Sequence, residues 1–415
     1  MKKDNSQFIE LIKSQKSNFP LDQSFYTDPN IYRNDLETFF YNQWIFIGHE
    51  SQIKNIGDYF LFEVGNESII VIRDKNQKIN CFFNVCRHRG SQICLEKKGK
   101  VKKLVCPYHA WAYDLSGDLI SARMMNDEFE KKDWGLNKCK SKIFEGLIFI
   151  NLSDDPDDFK EFINPIKKFI ELHGLNRAKV AFKKTYPTDG NWKLTLDNFH
   201  ECYHCLPAHP EYCHVHSKDY IQAYGAGNNT GPESIEFSKK LNLWNKKTEK
   251  LGYLTGEYSD FNFSNFFRSA ERTPFDGDRL SETKDGKPGS ILMGQFKEFD
   301  GGYTTVGTSP FNSFIMSNDF AAIFTFIPRG PLKTDVEIMW LVHEDAEEGK
   351  DYDLNKLIWM WDKTTIADKK IIENNQKGVM SKKYVPGPLS EMEIGLEKLK
   401  KWYLKHLEIK LKNTI

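Results

Sequence analysis

Two short segments constrain this chain more than anything else in it: Cys86-Arg87-His88-Arg89-Gly90 and, a little downstream, Cys106-Pro107-Tyr108-His109. Each contributes one cysteine and one histidine, in C-x-H and C-x-x-H order. A zinc finger distributes its donors differently, with one C-x2–4-C pair for the sulfurs and one H-x3–5-H pair for the nitrogens, so that each half is homogeneous. Mixed halves match a [2Fe–2S] centre in which two thiolates hold one iron and two imidazoles the other. The plain alternative is a pair of core cysteines beside two solvated histidines. The flanking sequence favours the cluster. Tyr59–Val64, Ile69–Arg73 and Ile79–Asn84 are short runs rich in β-branched and aromatic residues, with turn signals at Gly65-Asn66 and Lys75-Asn76. Trp111–Asp114 leads into a further turn at Ser116-Gly117-Asp118. Both pairs are therefore predicted on loops of a small antiparallel β domain, near the surface, where a cluster can exchange electrons.

Residues 84–117 resemble the Rieske domain of the ring-hydroxylating, Rieske-type non-haem iron oxygenases. That resemblance implies a mononuclear iron held by the second half of the chain, and Asn191-Trp192-Lys193-Leu194-Thr195-Leu196-Asp197-Asn198-Phe199-His200-Glu201-Cys202-Tyr203-His204-Cys205-Leu206-Pro207-Ala208-His209-Pro210 is similar to the family's iron-binding segment. Read for its own chemistry, the segment places Asp197, Glu201 and His204 at i, i+4 and i+7, on one face of a continuous helix. His209 points elsewhere on such a helix. Pro207 is expected to stop it and to turn the chain so that His209 comes back beside His204. Two histidines and one carboxylate with open positions form the ligand set of oxygen-activating Fe(II).

The carboxylate is expected to be Asp368. From Asp353 to Gly378 the pattern is helical, with Leu354, Ile358, Trp361, Thr365, Asp368 and Ile372 on one stripe. An acid on an otherwise apolar face needs a partner, because an unpaired buried carboxylate costs several kcal/mol or is neutralised. Asp362 and Glu373 lie off the stripe and read as solvated charges. The likeness points the same way, since Asp368 followed by Ile371-Ile372-Glu373-Asn374-Asn375-Gln376-Lys377-Gly378 is similar to the family's terminal-ligand segment. It also implies that Glu201 bridges His204 to the cluster histidine His109 of a neighbouring subunit. Many relatives carry aspartate there, whereas the onium-oxidising branch often carries glutamate. A surface glutamate is the bland alternative, and Asp197 is a weaker rival for the role.

The remaining residues set the frame. His200, His214 and His216 crowd the motif and read as supporting or solvent-facing groups. The other cysteines form no regular framework, and free thiols beside an iron–sulfur cluster suit a reducing cytoplasm. At 415 residues the chain is long enough for two cores. The expected division is an N-terminal helical segment at 1–43 packing on the catalytic domain, a Rieske domain at 44–155 and a catalytic domain at 156–415, with the boundary near the turn-rich Ser153–Asp158. The formal net charge is +0, which gives no reason to expect nucleic acid or an anionic membrane as a partner. Neither a signal peptide nor a membrane-spanning run is visible. Lys239–Gly252 and Ser281–Gly289 are polar enough to read as loops. The fold class is α+β: a small antiparallel β Rieske domain, then a curved antiparallel sheet built from segments such as Gly302–Thr308, Ala321–Pro328 and Thr334–His343, flanked by helices, with a last helix at about Glu391–Leu407.

The resemblance implies a terminal oxygenase that uses O2, a [2Fe–2S] cluster and mononuclear Fe(II), fed by a separate NAD(P)H-dependent flavin or ferredoxin-type reductase; no Gly-rich nucleotide fingerprint precedes a helix here. It implies a head-to-tail homotrimer, because one subunit's cluster serves the next subunit's iron. Tyr384-Val385-Pro386-Gly387-Pro388-Leu389-Ser390, together with Asn375–Val379, looks like the glycine betaine and quaternary-ammonium demethylase branch. Such a cation needs aromatic neighbours, and Phe199, Phe263, Phe266, Phe267, Phe311, Phe314, Phe320, Phe324 and Phe326 offer rings. A small aromatic acid as substrate, a Rieske electron-transfer protein and a zinc-stabilised binding module are the competing readings.

Overall fold

A computed structural model describes residues 2–216, 221, 232–260 and 265–413. The chain divides into two compact units, residues 41–157 on one side and residues 1–40 with 158–415 on the other. The observed class is α+β.

Unit 41–157 is built from three antiparallel sheets. The largest has the strand order Ile79–Phe83, Glu67–Arg73, Asp58–Val64, Lys98–Lys100, so the expected runs form adjacent hairpins, with Tyr59 opposite Ile72 and Ile69 opposite Phe83. Ser68 to Ile72 are all buried, which is why the middle run reads as continuously apolar rather than alternating. A second sheet joins the short strands Leu104–Val105, Ala112–Tyr113 and Leu119–Ser121. Cys86 and Cys106 belong to the apolar core of this unit, beside Phe82, Trp111 and Tyr113.

The other unit is organised on a seven-stranded sheet, in the order Ala178–Thr188, Lys333–His343, Phe320–Gly330, Asn312–Met316, Gly302–Ser309, Arg268–Pro274, Glu257–Asp260. Every neighbouring pair is antiparallel. Cross-strand partners share a face of a sheet. The register sets Phe324 opposite Ser313, Ser313 opposite Gly307 and Gly307 opposite Ser269, and one row further on Ile315 opposite Thr305 and Thr305 opposite Glu271. These two rows form the floor of the site described below.

Two helices lie over that floor. Trp192–Phe199 begins where Asn191 caps it, Oδ1 accepting from Lys193 N at 2.9 Å. Leu354–Val379 begins at Asp353, whose Oδ1 accepts from Lys356 N at 2.9 Å. The two are tied to each other, since the Asn191 N–H donates to Gln376 Oε1 at 2.8 Å. Close approach also requires a glycine, because a Cβ on Gly190 would lie 2.6 Å from Ile372 Cγ2. Of the N-terminal helices, Gln23–Thr27 meets the long helix, while Lys2–Lys13 packs on Ile394–Asn413. Asp35 is fully buried and accepts from Trp192 Nε1 at 2.9 Å, from Tyr403 OH at 2.7 Å and from Lys193 Nζ.

Two readings of surface chemistry need correction. Lys239–Gly252 is no loop but largely the second part of a helix, Pro232–Lys250. Its lysines and glutamates are good helix formers, and Trp244 and Thr248 supply a narrow buried side, with Trp244 Nε1 donating to Asp300 O at 2.7 Å. Asp362 is likewise no solvated charge: it accepts from Lys184 Nζ at 2.5 Å and from Tyr186 OH at 2.6 Å, pinning the long helix to the sheet. Glu373 accepts from Lys369 Nζ and from the Asp189 N–H. Ser281–Gly289 is irregular as expected, organised by the buried Asp319, which accepts from Ser281 Oγ at 2.8 Å and from the Gly289 N–H at 2.6 Å. The last helix runs Ile394–Asn413, past the expected end.

Candidate active site

In unit 41–157 the two cysteine–histidine loops have the same backbone construction. Cys86 N–H donates to Ser91 O at 2.9 Å, and Gly90 N–H returns to Cys86 O at 3.0 Å. In the second loop Cys106 N–H donates to Trp111 O at 2.8 Å, and Ala110 N–H returns to Cys106 O at 3.1 Å. Each turn closes on a left-handed residue, Gly90 at φ 78° and Ala110 at φ 59°, an uncommon conformation for alanine. The consequence is two thiols directed inward and two imidazoles directed outward. Cys86 and Cys106 are buried and in contact; His88 and His109 are exposed, with their Nδ1 atoms 3.1 Å apart. His88 stacks on Trp111 at 5.0 Å and 8°. Desolvation raises the Cys86 thiol, opposed by the Tyr113 hydroxyl 3.3 Å from its sulfur. Tyr113 also accepts from the Arg87 N–H at 3.1 Å. Nothing in the spacing marked this tyrosine, whose position two residues after Trp111 matters only once the strand folds back. Two paired sulfurs and two paired imidazole nitrogens fit the donor set of a Rieske cluster.

In the larger unit the structure brings together His204, His209 and Asp368, whose ligand atoms all lie within 4.8 Å of one another. His209 Nε2 is 2.8 Å from Asp368 Oδ1, and His204 Nε2 is 3.4 Å from the same oxygen. The local backbone differs from the expected helix. Trp192–Phe199 ends at its C-cap His200, whose carbonyl lies so close to Gly395 that a Cβ there would sit 2.4 Å away. Glu201 and His204 therefore lie beyond the helix rather than on its face. A new short helix, Cys205–Ala208, starts after His204. Pro207 sits in its first turn, where a missing N–H breaks no bond, and the chain turns at His209, which precedes the helix Pro210–Val215.

The electrostatics of the triad call for a cation. Burial would lower the His204 pKa, but hydrogen bonds to Asp368 and Glu201 override it and push the group up to about 10. Burial would raise Asp368, and the two histidines hold it below the ordinary carboxylate range instead. In each case a positive charge is drawn to the point where the three groups meet. His209 Nδ1 is buried without a hydrogen-bond partner, with Glu211 Oε1 3.7 Å away, and Asp368 holds the ring from its Nε2 side. Two histidines and a carboxylate meeting at one point fit the donor set of non-haem Fe(II). Glu201 Oε1 is 2.5 Å from His204 Nδ1. Asp197 faces elsewhere and accepts from Tyr26 OH at 3.1 Å.

A cavity of about 140 Å3 opens beside the triad. Its floor is the pair of sheet rows, in which Phe324 and Ile315 are the large apolar members, and Phe199, Phe326 and Trp361 line it as well. Phe199 lies 5.0 Å from both Phe324 and Phe326. No lysine or arginine is among the described lining residues. The other rings have structural places: Phe311 packs on Phe40 at 4.2 Å, Phe266 on Phe162 at 5.3 Å, Phe267 on Trp402 at 5.7 Å, and Phe314 and Phe320 are core. Phe263 lies outside the described residues. His200 lines the cavity, and burial lowers its pKa to about 4. His216 is 1% exposed rather than solvent-facing, while His214 is exposed. Among the described residues, no helix is long and apolar enough to cross a membrane.

Comparison with known proteins agrees with both halves of the chain. Residues 43–136 match the Rieske [2Fe-2S] domain and residues 175–409 the ring hydroxylating alpha subunit (catalytic domain). The glycine betaine monooxygenase oxygenase subunit of Pseudomonas aeruginosa (strain UCBPP-PA14) is 34% identical over 402 residues, covering 95% of this chain and 90% of the relative. The carnitine monooxygenase oxygenase subunit of Acinetobacter pittii (strain PHEA-2) is 31% identical over 273 residues, 61% of this chain and 71% of that one. Among solved structures, a quaternary ammonium Rieske monooxygenase described in terms of carnitine oxidation and inter-subunit electron transfer has a similar fold, with a TM-score of 0.69, 21% identity and coverage of 96% and 97%.

Proposed function

Because this chain belongs to the Rieske-type ring-hydroxylating oxygenases, as a catalytic alpha subunit with a [2Fe–2S] cluster and a mononuclear iron, we propose that it is a monooxygenase removing an N-methyl group from a quaternary ammonium compound of the glycine betaine type. The observation that carries this reading is the cavity wall: aromatic rings beside the His204, His209 and Asp368 triad, with neither lysine nor arginine among the described lining residues. An onium group is attracted to ring faces by about 0.5–2 kcal/mol each. The near full-length likeness to a glycine betaine monooxygenase subunit supports the same substrate class.

In this reading Cys86, Cys106, His88 and His109 hold the cluster, and His204, His209 and Asp368 hold the iron. When bound, the iron supplies activation of O2 for attack on a C–H bond, and the cluster supplies single electrons. The chain's own residues do the rest. Glu201 fixes the His204 ring from its Nδ1 side, and burial fixes His209. The rings keep water from the substrate methyl. The trimethylammonium compound, O2, two electrons and two protons give the N-hydroxymethyl compound and water. That hemiaminal breaks its C–N bond, leaving the demethylated amine, formaldehyde and one proton. The electrons come from a separate NAD(P)H-dependent reductase. We assign the assembly as a homotrimer in which Glu201 links His204 to His109 of a neighbouring copy, the kind of inter-subunit transfer described for the similar solved structure. The place of work is the cytoplasm.

The test supplies NADH, a compatible reductase and O2, and measures formaldehyde with betaine, carnitine, choline, stachydrine and simple aromatic acids. Formaldehyde from a quaternary amine, one O2 per methyl removed, is expected. A cis-diol or phenol from an aromatic acid, with every onium compound inert, makes the aromatic-hydroxylase reading correct.

A further inference from the structure

Trp361 stands two helical turns before Asp368 on the Leu354–Val379 helix and forms part of the cavity wall. Seven residues at about 1.5 Å rise separate the two backbone positions by about 10 Å along the axis, and both side chains lean toward the same helix end. The indole is held in an unusual way. Its Nε1 donates at 2.7 Å to Glu282 Oε2, and Glu282 is 2% exposed. The other oxygen of Glu282 lies 3.3 Å from His216 Nε2. Phe324 meets the indole edge-on at 5.1 Å and 83°, and Tyr212 flanks it at 6.0 Å.

A buried acid is unfavourable without compensation; the His216 ring approaches one Glu282 oxygen without forming a hydrogen bond, and the indole N–H is the acid's hydrogen-bond partner here. The same hydrogen bond acts on the ring. An acidic oxygen on the N–H draws the proton and leaves more electron density on the indole face, and tryptophan already offers the strongest face for a cation. Trp361 and Phe324, nearly perpendicular, give two adjoining walls. Both rings line the same cavity as His204, His209 and Asp368, and a cation is attracted to a ring face within about 6 Å of its centroid.

We propose that Trp361 is the surface that recognises the ammonium centre of the substrate, and that Glu282 is its positioning residue, holding the indole by its N–H and enriching its face. The inference rests on the onium reading of this site and names the group that reads the charge.

The test compares glycine betaine with 3,3-dimethylbutanoate, which has the same shape and carboxylate but an uncharged carbon in place of the ammonium nitrogen. Binding of each to the metal-loaded protein is measured by calorimetry, and the ratio of the two affinities is the readout. Because both ligands are titrated into one preparation, an inactive fraction cancels. Trp361→Leu is expected to reduce the preference for betaine by about tenfold, the range of one cation–π contact. Trp361→Phe is expected to fall between Leu and the parent. Glu282→Gln keeps an acceptor for the indole and is expected to lose about threefold of the preference, with KM for betaine rising and kcat nearly unchanged. An unchanged ratio in Trp361→Phe and Trp361→Leu overturns the proposal, and an unchanged ratio in Glu282→Gln removes Glu282 from it. A parent protein that binds no onium compound overturns the onium reading and this inference with it. A parent that binds betaine while the Trp361 variants keep its ratio overturns this inference alone.

Discussion

Glu201 Oε1 lies 2.5 Å from Nδ1 of His204, on the side of the ring opposite the Nε2 atom that faces Asp368 at 3.4 Å. The arrangement fixes the imidazole in place and makes Nε2 the atom turned to the triad. Glu201→Gln is expected to keep the cluster, the iron and the oligomer, and to slow cluster-to-iron electron transfer by about tenfold to a hundredfold, the usual effect of removing an acid that supports a metal-binding histidine. Single-turnover absorbance of the cluster measures it. An unchanged rate removes Glu201 from the transfer route.

The two donor sets predict separable metal contents. Fully loaded protein is expected to hold three irons per chain, about two in a red-brown cluster and one removable by a chelator. Asp368→Ala should keep the colour and lose the removable iron, because two histidines remain without their shared carboxylate. Cys86→Ala or His109→Ala should bleach the cluster. Iron analysis with visible spectra checks both, and retained mononuclear iron in the Asp368 variant sinks its assignment.

The bond from the Asn191 N–H to Gln376 Oε1 joins the two helices that cover the sheet floor. Gln376→Ala leaves a buried donor unpaired, which costs about 1–3 kcal/mol. The variant is expected to unfold at lower denaturant and to release its mononuclear iron faster to a chelator, with the cluster unaffected. Equal iron-release rates would show that the tie does not hold the triad.

Burial pushes the Asp197 pKa up to about 7, against the hydrogen bond from Tyr26 that lowers it. The folded chain thus holds a proton that the unfolded chain has already lost near pH 4. Between those values the folded state binds more protons, so stability falls as pH rises and levels off above pH 7. Asp197→Asn keeps an acceptor for Tyr26 and removes the titration. Its melting temperature is expected to exceed the parent's at pH 8, with the gain shrinking toward pH 5. A gain independent of pH counts against the assignment.

How far the site was legible depended on whether its chemistry was local. Cys86, His88, Cys106 and His109 declare themselves because a mixed pair at fixed spacing sits on one turn, and the observed loops repeat that turn. His204 and His209 are also near neighbours in sequence, but the break that brings them together was misplaced: it follows Phe199, where the chain passes Gly395, and Pro207 belongs to the start of the next helix. A residue nearly two hundred positions away lies against the carbonyl at that break, and no local pattern contains the contact.

Periodicity and the family likeness both singled out the same acid. Asp368 interrupts an apolar stripe, and burial on that stripe makes an unpaired charge untenable, so the sequence was enough to demand a partner for it. The polar helix Pro232–Lys250 shows the converse, because polarity says how a surface is solvated and little about whether its backbone is helical. What only the tertiary structure decided is which rings face the cavity and which acid stands behind which group. Phe324 lines the cavity and Phe314 lies in the core although both read as strand aromatics, and Glu282 reaches Trp361 across 79 residues of chain. Ligand spacing and hydrophobic period are properties of neighbours along the chain, whereas the face of a sheet that is covered and the partner of a buried polar atom are set by packing between distant segments.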